Sequence, residues 1–242
     1  MAQSERIKPL GRLLQRDFFE APPERVARLL LGKILVQRTR GRKPIAGRIV
    51  EVEAYLGPHR QPADPAAHSY RGPTPRNQVL FGPAGHAYVY SIYGRYFCMN
   101  VTCEREGRAG CVLLRALEPV EGLDQMARNR GLDGCPTLLA SAAADARRVG
   151  IGRELTSGPS RLCQALGITR SAHNGVDLLD PSSPLELRDD GTRAGRVLVT
   201  RRIGIRHAVE LPLRFAIAGN GCVSGPKSMR RASVFSPSCS VR

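Results

Sequence analysis

Tyr88-Val89-Tyr90-Ser91-Ile92-Tyr93-Gly94-Arg95-Tyr96-Phe97-Cys98-Met99-Asn100 reads as a β-hairpin. Tyr88, Tyr90 and Ile92 alternate on the way in. Tyr96, Cys98 and Asn100 alternate on the way out, opposite Phe97, Met99 and Val101, and Gly94 supplies the turn. The chain has 6 Tyr and no Trp, and four of those Tyr fall in this stretch. Tyrosine packs well on a pleated surface, which accounts for the residues in the arms. It does not account for Tyr93 at the tip beside Arg95, in a chain of net charge +16. An aromatic side chain on a basic, protruding turn suits stacking against nucleic-acid bases or wedging between them.

The totals agree with that reading. A chain of 242 residues, 42% hydrophobic, can bury one sizeable core. No long linker interrupts the apolar segments, so a single domain is expected over 16–224. A loose basic arm is expected over 1–15 and a disordered tail over 225–242. A sequence pI near 10.4 favours a polyanionic partner. Only Lys8, Lys33, Lys43 and Lys227 are lysines among the 37 basic residues. The 7 Cys form no CxxC pair, so they read as buried thiols in a reducing compartment, with neither a disulfide framework nor a metal site. The N-terminus lacks an apolar signal core, and no apolar run is long enough to span a bilayer. A soluble, cytoplasmic protein that is not secreted is the expectation.

Outward from the hairpin, Pro22-Pro23-Glu24 followed by Val26, Leu29 and Leu30 predicts a short amphipathic helix stopped by Gly32. Lys33 to Arg38 predicts a strand and Arg40 to Pro44 a basic turn. In the next strand, Arg48 to Leu56, residues Val50, Val52, Ala54 and Leu56 are expected on one face. Ile49, Glu51, Glu53 and Tyr55 are expected on the other. Residues 57–76, rich in Pro, His, Arg and Gly, read as a long irregular loop of the kind that carries sites; His59, His68 and Arg76 lie in it.

Beyond the hairpin, Cys111 to Leu117 is an apolar strand interrupted by Arg115. A guanidinium in such a run needs an anion, since an unpaired buried charge is costly, and Glu51 or Glu53 is the economical partner. Pro119, Val120, Leu123, Met126 and Ala127 predict a helix, and 132–150 is alanine-rich. Ser157-Gly158-Pro159-Ser160 opens a helix through Leu166 that Gly167 stops. Its exposed amides suit a phosphate or simple capping. Short strands follow at Pro184–Arg188, Arg196–Thr200 and Leu213–Ile217. No P-loop, dinucleotide fingerprint, metalloprotease helix or nucleophile elbow occurs.

Several runs, in order and spacing, resemble the alkyladenine (3-methyladenine, methylpurine) DNA glycosylase family. They are Gly47-Arg-Ile-Val-Glu51-Val-Glu53-Ala-Tyr55-Leu-Gly57, Ala66-Ala-His68-Ser69, Thr74-Pro-Arg-Asn77, Tyr88 to Asn100, Cys111 to Pro119 and Ser157 to Leu166. The resemblance covers roughly residues 16–224. It implies a single mixed α+β domain around a curved antiparallel sheet with flanking helices, a hairpin inserted into DNA and no helix-hairpin-helix. It implies an enzyme that flips a damaged purine out of duplex DNA and hydrolyses its N-glycosidic bond, as a monomer and without a cofactor or metal. By matching positions, Glu53 would deprotonate the attacking water with Arg115 helping to hold it, and Val223 would offer its carbonyl. Tyr55, His68 and Tyr90 would line the base pocket, and Asn100 would crowd the amine of undamaged guanine. Tyr93 would fill the gap left by the flipped nucleotide, with Tyr96 beside it in the minor groove. Arg95, Arg76, Ser157, Gly158 and Ser160 are candidates for the DNA backbone. Arg95 stands where some relatives carry methionine, and Gly221-Cys222 where the family usually has proline and an aromatic residue.

The chemistry is consistent with those roles. A purine alkylated at N3 or N7 already carries positive charge and leaves without strong acid assistance. One base to activate water then suffices, unlike most glycosidases, which need two carboxyl groups. Glu53 and Tyr55 lie about 7 Å apart along one strand face, so one can address the sugar while the other stacks on the base. A lyase would need an amine nucleophile, and none of the four Lys lies in these motifs. Two other classes are open at this point: a non-catalytic damage-binding protein, and an RNA-binding or sugar-hydrolase domain. Glu51 is the rival candidate for the base.

Overall fold

The longest strands, β3 (Ile45–Tyr55) and β6 (Gly110–Glu121), pair antiparallel at the centre of the molecule. The computed structural model describes residues 10–39, 41–132 and 152–225. The other strands are β1 (Arg12–Leu13), β2 (Ile34–Gln37), β4 (Ala87–Ile92), β5 (Tyr96–Cys103), β7 (Leu185–Asp189), β8 (Val197–Thr200) and β9 (Arg214–Ile217). They form one curled antiparallel sheet of order β1-β7-β2-β3-β6-β5-β4, with β9 pairing β3 and β8 pairing β9. The helices are α1 (Pro23–Leu30), α2 (Leu123–Asn129), α3 (Pro159–Ala165) and α4 (Arg170–His173). The expected mixed α+β architecture is therefore present.

One edge of β3 serves two neighbours in succession. Its first half pairs β2, from Ile45↔Gln37 to Arg48↔Ile34, and its second half pairs β9, from Glu51↔Ala216 to Glu53↔Arg214. The changeover falls at an irregularity. On the β6 side the register runs Ile49↔Leu117, Glu51↔Ala116, Val52↔Leu114, so Val50 and Arg115 are both passed over. Bulges re-aim side chains and bend the strand, and here the effect overturns a predicted face. Ile49, Val52, Ala54 and Leu56 share the main core, whereas Val50 packs with Ala116, Ala216, Cys222 and Val223. Strict alternation assigned Val50 and Ile49 to each other's faces because it cannot see an inserted residue.

The main core fills the concavity between the sheet and α1, α2 and α3, with Phe19, Leu30, Leu35, Met99, Leu114 and Leu162 among its buried residues. α1 starts at Pro23, is stopped before Gly32 (φ +87°), and buries Val26, Ala27 and Leu30; Leu29, expected inward, is exposed. Pro119 and Val120 belong to β6 and not to the following helix, which begins only after Gly122 (φ 77°). Pro119 is tolerated because its partner, Gly47, sits at a second register irregularity, the kind of place to which strand prolines are confined.

The predicted strands at 184–188, 196–200 and 213–217 coincide with β7, β8 and β9 to within a residue or two. The arm expected over 1–15 is anchored at its inner end, where Arg12–Leu13 pair with β7 and Leu14 is buried. The alanine-rich 132–150 stretch (from 133), Arg40 of the basic turn and the tail beyond Gly225 lie outside the described residues. The five described cysteines are buried and in no disulfide. No described helix is long and apolar enough to cross a membrane.

Candidate active site

Glu51 and Glu53 are both fully buried in β3, and a layer of cations and amides meets them. Arg115, aimed sideways by the bulge, donates from Nε to Glu51 Oε1 at 2.9 Å and places NH1 3.2 Å from Glu53 Oε1. The sequence left its partner as one carboxylate or the other; the strand delivers both. Burial works against the Arg115 charge, but the two carboxylates outweigh it and raise its pKa.

The rest of the layer was missed in reading the sequence. Arg214, at the start of β9, donates from Nε to Glu51 Oε1 at 2.7 Å and from NH2 to the Ser224 carbonyl at 2.7 Å. Ser224 gives Glu51 its backbone N–H at 2.5 Å and its hydroxyl at 2.8 Å. Glu53 instead accepts the Ile203 N–H at 2.8 Å on Oε1 and the Tyr55 hydroxyl at 3.0 Å on Oε2. The signal that could have found Arg214 is the one that found Arg115, an arginine inside an apolar strand.

A cleft of about 650 Å³ opens above this layer, within the range usual for small-molecule sites. Its walls include Tyr55, His68, Tyr88, Tyr90, Asn100 and Arg115. All four residues expected in the base pocket are thus brought together, and Tyr88 joins them. Tyr88 and Tyr90 stack with centroids 5.5 Å apart, and His68 meets Tyr90 edge-on at 4.5 Å. His68 Nδ1 is 3.0 Å from the Tyr88 hydroxyl. Burial, and then the charge of Arg76, lower the His68 pKa. Burial pushes Tyr88 up to about 12 and raises Tyr55 and Tyr90 as well. The aromatic side chains of the wall therefore stay neutral at neutral pH, while Arg115 brings a positive charge into the same cleft; the neutral rings are the faces suited to a flat cation. Asn100 is buried on β5, its Oδ1 3.6 Å from Cys111 Sγ.

Beside the cleft, β4 and β5 project the hairpin. Arg95 N–H closes the turn on Ile92 O at 3.3 Å, with Tyr93 at φ 50° and Gly94 at φ 71°. Both central residues are left-handed, as a type I′ hairpin turn requires. Glycine adopts that conformation freely; a tyrosine pays roughly 1–2 kcal/mol. Tyr93 is also 90% exposed, so nothing in the fold repays the strain. The Arg95 guanidinium lies 5.6 Å from the Tyr96 ring centroid, and Arg76 is exposed.

The phosphate role expected at Ser157 and Gly158 does not fit their surroundings. Ser157 is buried, and its N–H bonds Arg153 O. The Gly158 N–H donates to Arg115 O at 2.9 Å, so neither amide is open to a ligand; this turn locks the Arg115 backbone instead. Ser160 is half-buried beside Cys98. Val223 is fully buried next to Val50, one residue before the Ser224 that clamps Glu51.

Among the described residues, no three or more His, Cys, Asp or Glu side chains cluster as a metal site. Residues 17–221 match the family model described as methylpurine-DNA glycosylase. A protein of Koribacter versatilis, provisionally named 3-methyladenine DNA glycosylase, is 49% identical over 214 residues, which are 88% of this chain and 94% of that one. A Methanoculleus marisnigri protein with the same name is 47% identical over 87% of this chain and 98% of its own. A third, from Burkholderia lata, is 44% identical over 91% and 95% respectively.

Proposed function

Because the chain belongs to the methylpurine-DNA glycosylase family, we propose that it removes alkylated purines, 3-methyladenine and 7-methylguanine first, from duplex DNA. It acts as a monomer without a cofactor, flips the damaged nucleotide into the aromatic cleft, and hydrolyses the N-glycosidic bond to leave an abasic site. Hypoxanthine and ethenoadenine are the further bases to test. Tyr93 fills the vacated stack while Arg95, Tyr96 and Arg76 meet the duplex beside it. Flipping costs a few kcal/mol, and stacking on Tyr55 and Tyr90 at about 1–3 kcal/mol per base offsets it.

The single observation that carries the mechanism is the different company of the two carboxylates. Every partner of Glu53 (Tyr55, Arg115 and Ile203) lines the cleft. Of the partners of Glu51, only Arg115 does. Glu53 is accordingly the base, one layer beneath the sugar, and Glu51 is the anchor that orients Arg115. Glu53 takes the proton of a water that Arg115 helps to hold, and its negative charge stabilises the developing oxocarbenium ion. The departing cationic purine needs no strong acid, and the neutral aromatic side chains of the cleft supply none. Lys33 is tied to Asp189 at 2.9 Å and Lys43 lines a different groove. No described lysine therefore lines the cleft as a lyase nucleophile, which supports monofunctional hydrolysis.

The test is release of free 3-methyladenine from a methylated duplex. Wild type releases base without nicking the strand, Glu53→Gln binds the duplex but releases none, and Glu51→Gln retains release wherever it folds. Release by a folded Glu53→Gln would remove Glu53 from its role. A nick formed without alkali or a nuclease would overturn the monofunctional assignment.

A further inference from the structure

We propose that Arg202, paired with Asp64, is a positioning residue for the excision step, an inference that rests on the reading of Glu53 and Tyr55 above. Arg202 and Asp64 are completely buried. NH1 donates to Asp64 Oδ2 at 2.6 Å and NH2 to Oδ1 at 2.9 Å, while NH1 also reaches Ala54 O at 3.1 Å. The guanidinium carbon lies 4.6 Å from the centroid of the Tyr55 ring. Its Nε is buried without a hydrogen-bond partner, so the group forgoes one bond to lie against the ring. Tyr55 thus carries a cation against its ring, inside the wall of the cleft.

Asp64 extends the connection. Its Oδ2 accepts Leu56 N–H at 3.2 Å, at the end of β3, and its Oδ1 accepts Ala66 N–H at 3.1 Å, two residues before His68. Residue 203, next to Arg202, supplies the amide that holds Glu53 Oε1. One ion pair therefore ties together the three segments that build the cleft: the end of β3 with Tyr55, the loop carrying Pro65, Ala66 and His68, and the 203–207 loop. Arg202 fixes the ring that stacks on the base and the amide that orients the base catalyst, and it touches neither substrate nor water itself. A bidentate, stacked site of this kind cannot be served by lysine, which offers a point charge and no plane.

The experiment compares wild type, Arg202→Lys and the double variant Arg202→Met/Asp64→Leu on a methylated duplex, measuring duplex affinity and single-turnover base release at saturating enzyme. The double variant removes both buried charges together, which keeps the fold testable where the lysine variant does not fold. The expected result is a release rate constant lower by about tenfold or more, since small misplacements of reacting groups cost that much. The dissociation constant and the releasable fraction stay at wild-type values. A purely structural ion pair gives the opposite split: a smaller releasable fraction at an unchanged rate constant, which overturns the proposal. Wild type that binds but never releases base sinks the glycosylase reading and this inference with it. Wild type that releases base while both variants match its rate constant sinks this inference alone.

Discussion

At Glu51 the balance of charge decides what a substitution does. The carboxylate sits against two guanidiniums, Arg115 and Arg214, with no exposure to water. Removing one partner of a buried pair leaves the other uncompensated, at a cost of roughly 3–5 kcal/mol. Glu51→Gln is expected to lower the unfolding free energy from denaturant titration by that order, whereas Glu53→Gln, which leaves Glu51 to hold Arg115, lowers it less. Equal losses in the two variants would show that Glu51 is no more structural than Glu53. His68 gives the pH dependence. Its pKa is depressed in the folded state by burial and then by Arg76, so the unfolded chain takes up this proton first. Stability is complete above the unfolded value of about 6.5 and drains away as pH falls through it toward the lower folded value. His173, also depressed by burial, acts in the same direction. Tm should therefore drop between neutral pH and pH about 5.5, and His68→Gln should drop less. An identical drop in both would assign the acid sensitivity elsewhere. At this scale the sequence was legible where a charge interrupted an apolar run, as at Arg115, and the same signal at Arg214 went unread. It was silent about Ser224 and Arg202, which sit in ordinary loop sequence and acquire their partners only when distant segments meet.

The hairpin is the element whose local sequence determined it best. The alternation of Tyr88, Tyr90 and Ile92 against Tyr96, Cys98 and Asn100 matches the observed register, in which Tyr88 faces Asn100 and Ile92 faces Tyr96. The turn chemistry was also readable at Gly94, but the left-handed Tyr93 was not, because nothing in a tyrosine codes for positive φ. That strain yields a prediction with two opposed readouts. Tyr93→Gly should raise Tm slightly, since glycine relieves roughly 1 kcal/mol of left-handed strain, and should weaken flipping. Flipping is read by a fluorescent base placed opposite the lesion. A stable variant that flips normally would make Tyr93 a bystander, and a destabilised one would mean the turn depends on the ring. β3 illustrates the limit of period-two reading. Its two carboxylates were expected to share a face, and in the structure both meet Arg115, yet the bulge at Val50 moved the apolar faces. Pro119 likewise suggested a helix start, because a proline and an apolar spacing carry no record of the Gly47 irregularity opposite.

For the molecule as a whole, strand order was out of reach because it is fixed by pairing between remote segments. Arg214 within Leu213 to Ile217 signals a need for an anion but not which strand supplies it, and the pairing with β3 brings Arg214 and Ser224 to the carboxylates. Net charge, by contrast, is a global property that the sequence states outright, and it governs how the protein meets DNA. A surface carrying +16 binds a duplex largely by displacing counterions, so affinity should fall steeply with salt. Six phosphate contacts correspond to a loss of roughly 10³-fold between about 50 and 200 mM. The hairpin separates this term from base flipping. Arg95→Ala removes a cation and should lower the slope of log affinity against log salt by about 1, as the loss of one phosphate contact does. Tyr93→Ala removes stacking and should weaken binding to damaged duplex at every salt concentration with the slope intact. Once the base is in the cleft, the charges around Glu53 are buried and scarcely screened, so base release at saturating enzyme should be nearly independent of salt. A release rate that tracked salt as affinity does would mean that the slow step is a rearrangement of the bound duplex and not the chemistry at Glu53.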